Sequence, residues 1–489
     1  MISATIPNTP VVSPSPKRSA LRCPEFAVLT ALAFLTRFWM LISPRAVVWD
    51  EVHFERFTGA YFTGKYYVDV HPPLGKLLLY AAARVLGVSG TDLATNQPTP
   101  MLRVLPALAG ALIIPVVFLL MRELGASRRM ATFAAAVLLL DNALLVISRV
   151  IVMDSMLTLF GVSAVYFFVA ARNATGRTRW MLLVAAAIAG GMTAGTKWTG
   201  LTALALIGLL WLFDVVAERR RGFTVVLEAG LFLVVPVLAY VIPFAIHFAL
   251  LHRSGLNDTT MPIPFQATLI GSRSYVPGAT FPFWSAFALL HRAMMLINLG
   301  WATDFNVGAS PWYSWPVAKH GIGFWESHPD AAHVRWIALF GNPAIWFPLL
   351  CGMIAVAVSA ATRRVALVRY RHALIVLVVA YLLNFLPFAL ISRPMYLYHY
   401  FFAFIYSAML VAFGVGALAG WGTDDESRFW AFDSRGSAAL YAGFLCFAAA
   451  TFVYLLPLNT GAVQERSEYL HRRATAERPL PALRDYLLK

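Results

Sequence analysis

The chain has 489 residues, of which 59% are hydrophobic and only 13% charged, with a mean hydropathy of +0.68. A soluble domain carries about 25% charged residues, so this composition excludes one and predicts an integral membrane protein. The net charge of +15 does not mark a nucleic-acid binder, because the basic residues fall in short clusters between apolar runs, as topology and attraction to anionic lipid require.

In chain order, Met1 to Ala20 is rich in Ser, Pro and Thr and predicts a disordered cytoplasmic tail, taken as 1–22. The apolar run that follows lacks a small-residue cleavage site and reads as an uncleaved first span. A crossing takes about 20 apolar residues, and about eleven such runs occur. They lie near 26–43, 102–121, 130–147, 152–171, 180–197, 200–217, 229–250, 337–361, 372–392, 400–420 and 436–456. The three cysteines, Cys23, Cys351 and Cys446, sit in or beside these runs and form neither a disulfide framework nor a zinc spacing. The expected organisation is a transmembrane domain over 23–456, with outer loops at 44–100 and 251–335, and a tail over 457–489 on the outer side.

Basic residues set the orientation. Lys17, Arg18 and Arg22 precede the first span; Arg122, Arg128 and Arg129 follow the second; Arg172, Arg177 and Arg179 follow the fourth. Arg219 to Arg221 follow the sixth, and Arg363, Arg364, Arg369 and Arg371 follow the eighth. If the spans alternate, all of these share one side, which is the cytoplasm. The polar stretches between spans then face outward, away from ATP and nucleotide sugars, and no Walker A or dinucleotide-binding pattern appears. An enzyme working there needs a donor already activated and carried across the membrane, such as a polyprenyl-phosphate sugar.

The densest outward stretch is WDEVHFERFTGAYFTGKYYVDVHPPLGK, Trp49 to Lys76. Asp50 suits the N-cap of a helix in which Val52, Phe54, Phe57, Tyr61 and Phe62 share a face and Gly64 is the stop. Pro72 and Pro73 suit the first turn of a second amphipathic helix, with Leu74, Leu77, Leu78, Ala81 and Val85 on one side and Gly87 at its end. Helices of this kind lie along a membrane surface. Asp50 and Glu51 can be a cap and a dipole-compensating acid, or a proton-accepting pair. Asp69, His71 and Lys76 either position the second helix or meet a phosphate.

Arg103 opens the second span, where snorkelling to head groups is the ordinary explanation. Arg149 and Asp154 flank the turn between spans three and four and suit a structural ion pair. Lys197 has no acidic partner near it in sequence and can point at a donor phosphate. The 251–335 stretch holds Trp284, Trp301, Trp312, Trp315 and Trp325 without periodicity, as an irregular loop packed on the membrane or as a wall for substrate. Arg393, His399 and Tyr400 lie between spans nine and ten, as surface anchors or as donors to a phosphate leaving group.

WDE, HF and DVHPPLGK together resemble the first outer loop of the protein O-mannosyltransferases. RVLPA, ISRVIVMDS, TKWTGL, MPIPFQATL, GNPAIWF and RPMYLYHYFF extend the resemblance, in family order, over nearly the whole chain. The resemblance implies an all-α polytopic GT-C glycosyltransferase that moves mannose, with inversion, from polyprenyl-phosphate mannose to Ser/Thr hydroxyls of secreted polypeptides. It implies Asp50 and Glu51 as the catalytic pair, with Arg103, Lys197, Arg393, His399 and Tyr400 at the donor phosphate and sugar. With these cations to do the work a divalent ion does elsewhere, no metal is expected, and no cofactor beyond the lipid-linked sugar co-substrate. Expected partners are membrane lipid and the protein-translocation machinery. The 251–335 stretch is too short for the β-trefoil insertion of eukaryotic members, which points to a bacterial-type enzyme of the plasma membrane. The alternative is a GT-C transferase that decorates a glycolipid or cell-wall polysaccharide. A transporter fits worse, because the ionisable residues gather at the outer ends of spans and no inverted repeat is visible.

Overall fold

A computed structural model describes residues 21, 23–94, 97–300, 308–318, 321–422, 429 and 432–477. The expected N-terminal tail (apart from residue 21), its basic residues Lys17, Arg18 and Arg22, and Trp301 lie outside these.

The first expected span is helix α1 (Pro24–Phe38). The outer loop that follows folds as α2 (Glu51–Thr63), α3 (Leu74–Val85) and a short α4 (Gly90–Ala94). Gly64 ends α2 with φ +73, a left-handed conformation that favours glycine, so the predicted stop is the observed one. Asp50 occupies the N-cap position, but its side chain makes no capping bond. The buried faces differ from the predicted stripes. On α2 the buried set includes Glu51, Glu55 and Thr58 beside Phe54 and Tyr61. On α3 it is Gly75, Lys76, Leu77, Leu79 and Ala83, while Ala81 and Val85 are exposed. Each face follows a buried charge with a partner, and hydropathy alone does not show which charges have one.

The second span is α5 (Val104–Glu123). The third breaks at Leu140 into α6 (Arg128–Leu139) and α7 (Asn142–Ile147), because Asp141 accepts the Leu144 N–H at 2.9 Å and caps a new helix. Then come α8 (Asp154–Arg172), α9 (Gly176–Thr196), α10 (Leu201–Ala217) and α11 (Phe223–Leu250). The 251–335 stretch is more regular than expected. After a short α12 (Ile263–Gln266) it forms α13 (Phe283–Gly300) and then a hairpin of β1 (Ile322–Ser327) and β2 (His333–Leu339). The eighth span begins at Pro343, later than predicted, because 337–339 belong to β2. Asn342 caps this helix, α14 (Pro343–Ala361), through the Ala344 N–H at 3.0 Å. The remaining elements are α15 (Arg371–Leu383), α16 (Phe401–Leu418), α17 (Arg435–Leu455), α18 (Pro457–Thr460), β3 (Gln464–Glu465) and α19 (Arg466–Glu477).

The fold is therefore helical with one small antiparallel sheet, ordered β1-β2-β3, which the all-α expectation lacks. Its register pairs Ile322 with Leu339 and Ser327 with Arg335, with an irregularity between Gly323 and Trp325 that leaves Phe324 bulged. Among the described residues, eight helical stretches are long and apolar enough to cross a membrane. The three other expected spans correspond to α1, the broken α6–α7 pair and α9. Helix α16 is central, with 83% of its apolar window buried inside the protein, and α11 is peripheral, with 11%. Around α16 lie α6, α14 and α15; α8 packs between α5 and α9, and α9 against α11. This bundle brings the starts of α8, α10 and α16 together beneath the α2–α3 loop.

Candidate functional site

Glu51 is 1% exposed and fully bonded. Arg103 Nε donates to Oε1 and Nη2 to Oε2, both at 2.7 Å, while the backbone N–H groups of Ile151 (3.0 Å) and Val48 (2.8 Å) donate to the same two oxygens. The guanidinium also donates to the carbonyls of Pro44 and Ala46, each at 2.8 Å. Glu55, one turn along α2, accepts from Thr99 N (2.7 Å) and Oγ1 (2.6 Å), just before the Pro100–Arg103 turn. The sequence reading passed over Glu55, although its spacing of four from Glu51 puts both acids on one helix face.

Beside this frame lies a cavity of about 280 Å³. Its polar lining comes from His71 before α3, Asp154 at the start of α8, and Lys197, Thr199 and Thr202 around the start of α10. Arg393, Tyr398 and His399 join it ahead of α16, with Thr158, Asn298 and Asn384 also on the wall. Leu383, Pro387, Phe388 and Ile391 form an apolar side. Lys197 Nζ donates to both oxygens of Asp154 at 2.8 Å, so the lysine expected to lack an acidic partner has one. The expected Arg149–Asp154 pair does not form. Arg149 turns to the carbonyls of Thr36 (3.1 Å) and Arg37 (3.0 Å) at the end of α1. Lys76 Nζ forms an ion pair with Asp69 and donates to the His71 carbonyl at 2.7 Å, which fixes the backbone that presents His71. Burial, then the charges of Lys197, Lys76, Arg393 and His399, hold the His71 imidazole well below its ordinary pKa, so it is neutral.

Arg393 lines the cavity with no hydrogen bond or ion pair among the described residues. His399 Nδ1 is engaged with the Tyr396 backbone, and its ring stacks on Trp315 (centroids 6.1 Å apart, planes at 12°). Two expected donor contacts fall elsewhere. Arg103 is buried, donates to Glu51 and the loop carbonyls, and does not line the cavity. Tyr400 is buried behind the wall, 3.3 Å from Tyr381 OH. Tyr398, two residues earlier, is the tyrosine that lines the cavity, with Lys197 Nζ 5.5 Å from its ring centroid. Reading missed it, and the only signal was the alternation of tyrosines at 396, 398 and 400. Among the tryptophans, Trp315 is fully buried behind His399 and Trp284 is largely exposed.

Asp50 does not line the cavity, and its carboxylate makes no hydrogen bond or ion pair among the described residues. Burial raises its pKa above that of an ordinary aspartate, against the pull of His53 and Lys197 and with smaller help from Asp154 and Asp69. A basic carboxylate without a partner thus lies within electrostatic reach of a cation-lined cavity. That arrangement suits proton removal from a nucleophile while an anionic leaving group is held.

Residues 27–252 match the family described as dolichyl-phosphate-mannose-protein mannosyltransferase, and residues 283–477 match the C-terminal four-span region of protein-O-mannosyltransferase. Among individual proteins, the chain is 30% identical over 287 residues to dolichyl-phosphate-mannose–protein mannosyltransferase 4 of Candida albicans, covering 54% of this chain and 38% of that protein. It is 33% identical over 269 residues to protein O-mannosyl-transferase 1 of Mus musculus, covering 50% and 36%. The matched stretch is thus well under half the length of these relatives. The fold is similar to that of the S. cerevisiae Pmt1-Pmt2 complex bound to the sugar donor, with TM-score 0.81, 18% identity and 92% of each chain covered. It is less similar to ArnT from Cupriavidus metallidurans bound to undecaprenyl phosphate, with TM-score 0.51, 16% identity, 96% of this chain and 74% of that one.

Breaking the buried Glu51–Arg103 pair is expected to destabilise the protein by about 3–5 kcal/mol, since either partner is left as an uncompensated buried charge. Arg103→Ala should therefore lower the thermal unfolding temperature of the detergent-solubilised protein, and Arg103→Lys should recover little because it cannot bind both oxygens through a fork. An unchanged unfolding temperature for Arg103→Ala would show that the pair carries no structural weight.

Proposed function

Since the chain belongs to the protein O-mannosyltransferase family, we propose that it transfers mannose from polyprenyl-phosphate mannose to Ser/Thr hydroxyls of polypeptides on the outer face of a membrane. The single observation that carries this reading is the pairing of an unpartnered, basic Asp50 with a cavity whose unneutralised cation is Arg393.

The acceptor hydroxyl attacks C1 of the mannosyl phosphate opposite the phosphate oxygen, so the C1–O bond to the acceptor forms as the C1–O bond to phosphate breaks, with inversion. Asp50 accepts the hydroxyl proton late in the step; ordinary aspartate, with a pKa of about 3.9, is a weak base, and the raised value brings it closer to use. The departing polyprenyl phosphate keeps the electron pair, and Arg393 and Lys197 hold its charge without proton transfer. Neutral His71 and the ring of His399 offer hydrogen bonds to sugar or phosphate oxygens. Glu51 and Arg103 act at a distance by holding the loop that carries Asp50. The apolar side of the cavity suits the first isoprene units. The basic clusters after the second, fourth, sixth and eighth spans support an outward site with the N-terminus cytoplasmic, and the short 251–335 stretch supports a plasma-membrane enzyme of bacterial type. An acceptor still extended as it leaves the translocation machinery can reach that site.

Three measurements test this. For orientation, cysteines placed at exposed Arg56 and Tyr313 in a cysteine-free background should react with an impermeant reagent in intact cells, while those at Arg221 and Arg364 should not. Labelling at Arg221 would reverse the site and remove its donor. For the donor, Arg393→Ala should weaken apparent affinity for polyprenyl-phosphate mannose by about 1.5–3 kcal/mol, with little change for the acceptor peptide. Equal affinity in both variants would return Arg393 to an anchoring role. For the base, Asp50→Asn should lower turnover about 10²- to 10⁴-fold. In the wild type, protonation of Asp50 as pH falls removes the proton acceptor, so kcat/KM should drop on the acid side, at a pH higher than an ordinary aspartate would set. Wild-type turnover by Asp50→Asn, or sugar found on lipid and not on protein by mass spectrometry, would refute the proposal.

A further inference from the structure

Trp49, the residue before Asp50, has φ +54, a left-handed conformation that a bulky side chain adopts only when its surroundings impose it. Those surroundings are visible. The Trp49 N–H donates to the Phe324 carbonyl at 3.1 Å, and the indole stacks on the Phe324 ring (centroids 5.0 Å apart, planes at 13°). Phe324 is the bulged residue of β1, set between Gly323 and Trp325 where the ladder with β2 is irregular, so its carbonyl can turn to Trp49. The hairpin is tied to the same loop again by Arg335 of β2, whose Nη2 donates to Ser43 Oγ at 3.1 Å. On its other side the indole meets Tyr396 edge-on at 6.1 Å, and Tyr396 stacks on the cavity-lining Tyr398 at 5.4 Å.

We infer that Trp49 is the positioning residue of the reaction, clamped between the Phe324 bulge and Tyr396 so that Asp50 is aimed at the cavity mouth. The inference rests on the reading of Asp50 as the proton acceptor. A residue in the left-handed region turns the chain sharply, and a neighbour's side chain swings with that turn. The Phe324–Trp49–Tyr396–Tyr398 row therefore fixes the acid relative to the wall that holds the phosphate. The 251–335 stretch thereby acquires a role in the chemistry that does not require it to touch a substrate.

The test uses the full-length protein with polyprenyl-phosphate mannose and a Ser/Thr peptide. Glycine adopts φ +54 without strain, so Trp49→Gly keeps the turn available while removing the clamp. It is expected to lower kcat about 10²-fold, the scale of a misplaced reacting group, with both KM values unchanged. It should also move the acid limb of kcat/KM toward the pH an ordinary aspartate would set, as Asp50 is released from burial. Trp49→Phe, which can still stack on Phe324, should recover most of the rate. Phe324→Ala, which keeps the backbone bond and loses only the ring, should shift kcat and the limb in the same direction by less. In the Asp50→Asn background Trp49→Gly should cost nothing further. Wild-type kcat and limb in Trp49→Gly, or the same fold loss in both backgrounds, would overturn the positioning role while leaving Asp50 as the base. Wild-type turnover by Asp50→Asn would instead overturn the proton-acceptor reading and this inference with it.

Discussion

The bidentate contact between Glu51 and Arg103 is the constraint on which the site depends. Two carboxylate oxygens gather a guanidinium and two backbone N–H groups, and the guanidinium gathers the carbonyls of the loop before α2. One buried charge pair thus joins the loop after α1, the head of α2, the start of α5 and the turn before α8. An apolar pair of the same volume would fill the space but would not orient four backbone segments toward one point. The acid next to it can then stay free of structural duty.

Adjacent acids meet opposite fates here because burial and partnership are assigned residue by residue. Glu51 is neutralised by Arg103, Asp154 by Lys197 and Asp69 by Lys76. Among the described charged residues of the cavity wall this leaves Arg393 without a protein partner. Asp50 is the mirror case, a carboxylate without a cation, made more basic by its burial. An ion pair drawn between the two would have silenced both.

Much of this was legible in the chain. Runs of about 20 apolar residues located the spans, and basic clusters gave them a consistent side. Gly64 and the Pro72–Pro73 pair marked the loop helices, because caps and breakers act through local backbone geometry. The motif resemblance pointed to Lys197, Arg393 and His399, which line one cavity, and to Asp50, which lies beside it. What was not legible was pairing across the fold. Lys197 finds Asp154 forty-three positions away, and Arg149 finds carbonyls of α1 rather than its near neighbour. Arg103 looked free because its carboxylate lies 52 residues upstream. The hairpin escaped because the end of β2, 337–339, continues into the apolar run of the eighth span and was read with it.

The sheet has a consequence for how the protein is made. Strand β3, at Gln464–Glu465, pairs with His333 and Val334 of the hairpin, and Arg335 donates to the Gly461 carbonyl at 2.8 Å. The hairpin in turn holds the loop around Trp49. An acid near the start of the chain is therefore framed by a strand that leaves the ribosome among the last described residues. Contacts so far apart in sequence close late, after the intervening loops have lost their freedom. During synthesis Asp50 precedes by more than 300 residues both the cavity residues around Arg393 and the strand that frames its loop. The loop around Trp49 is therefore framed only as a final assembly event, once the last of these distant segments is in place.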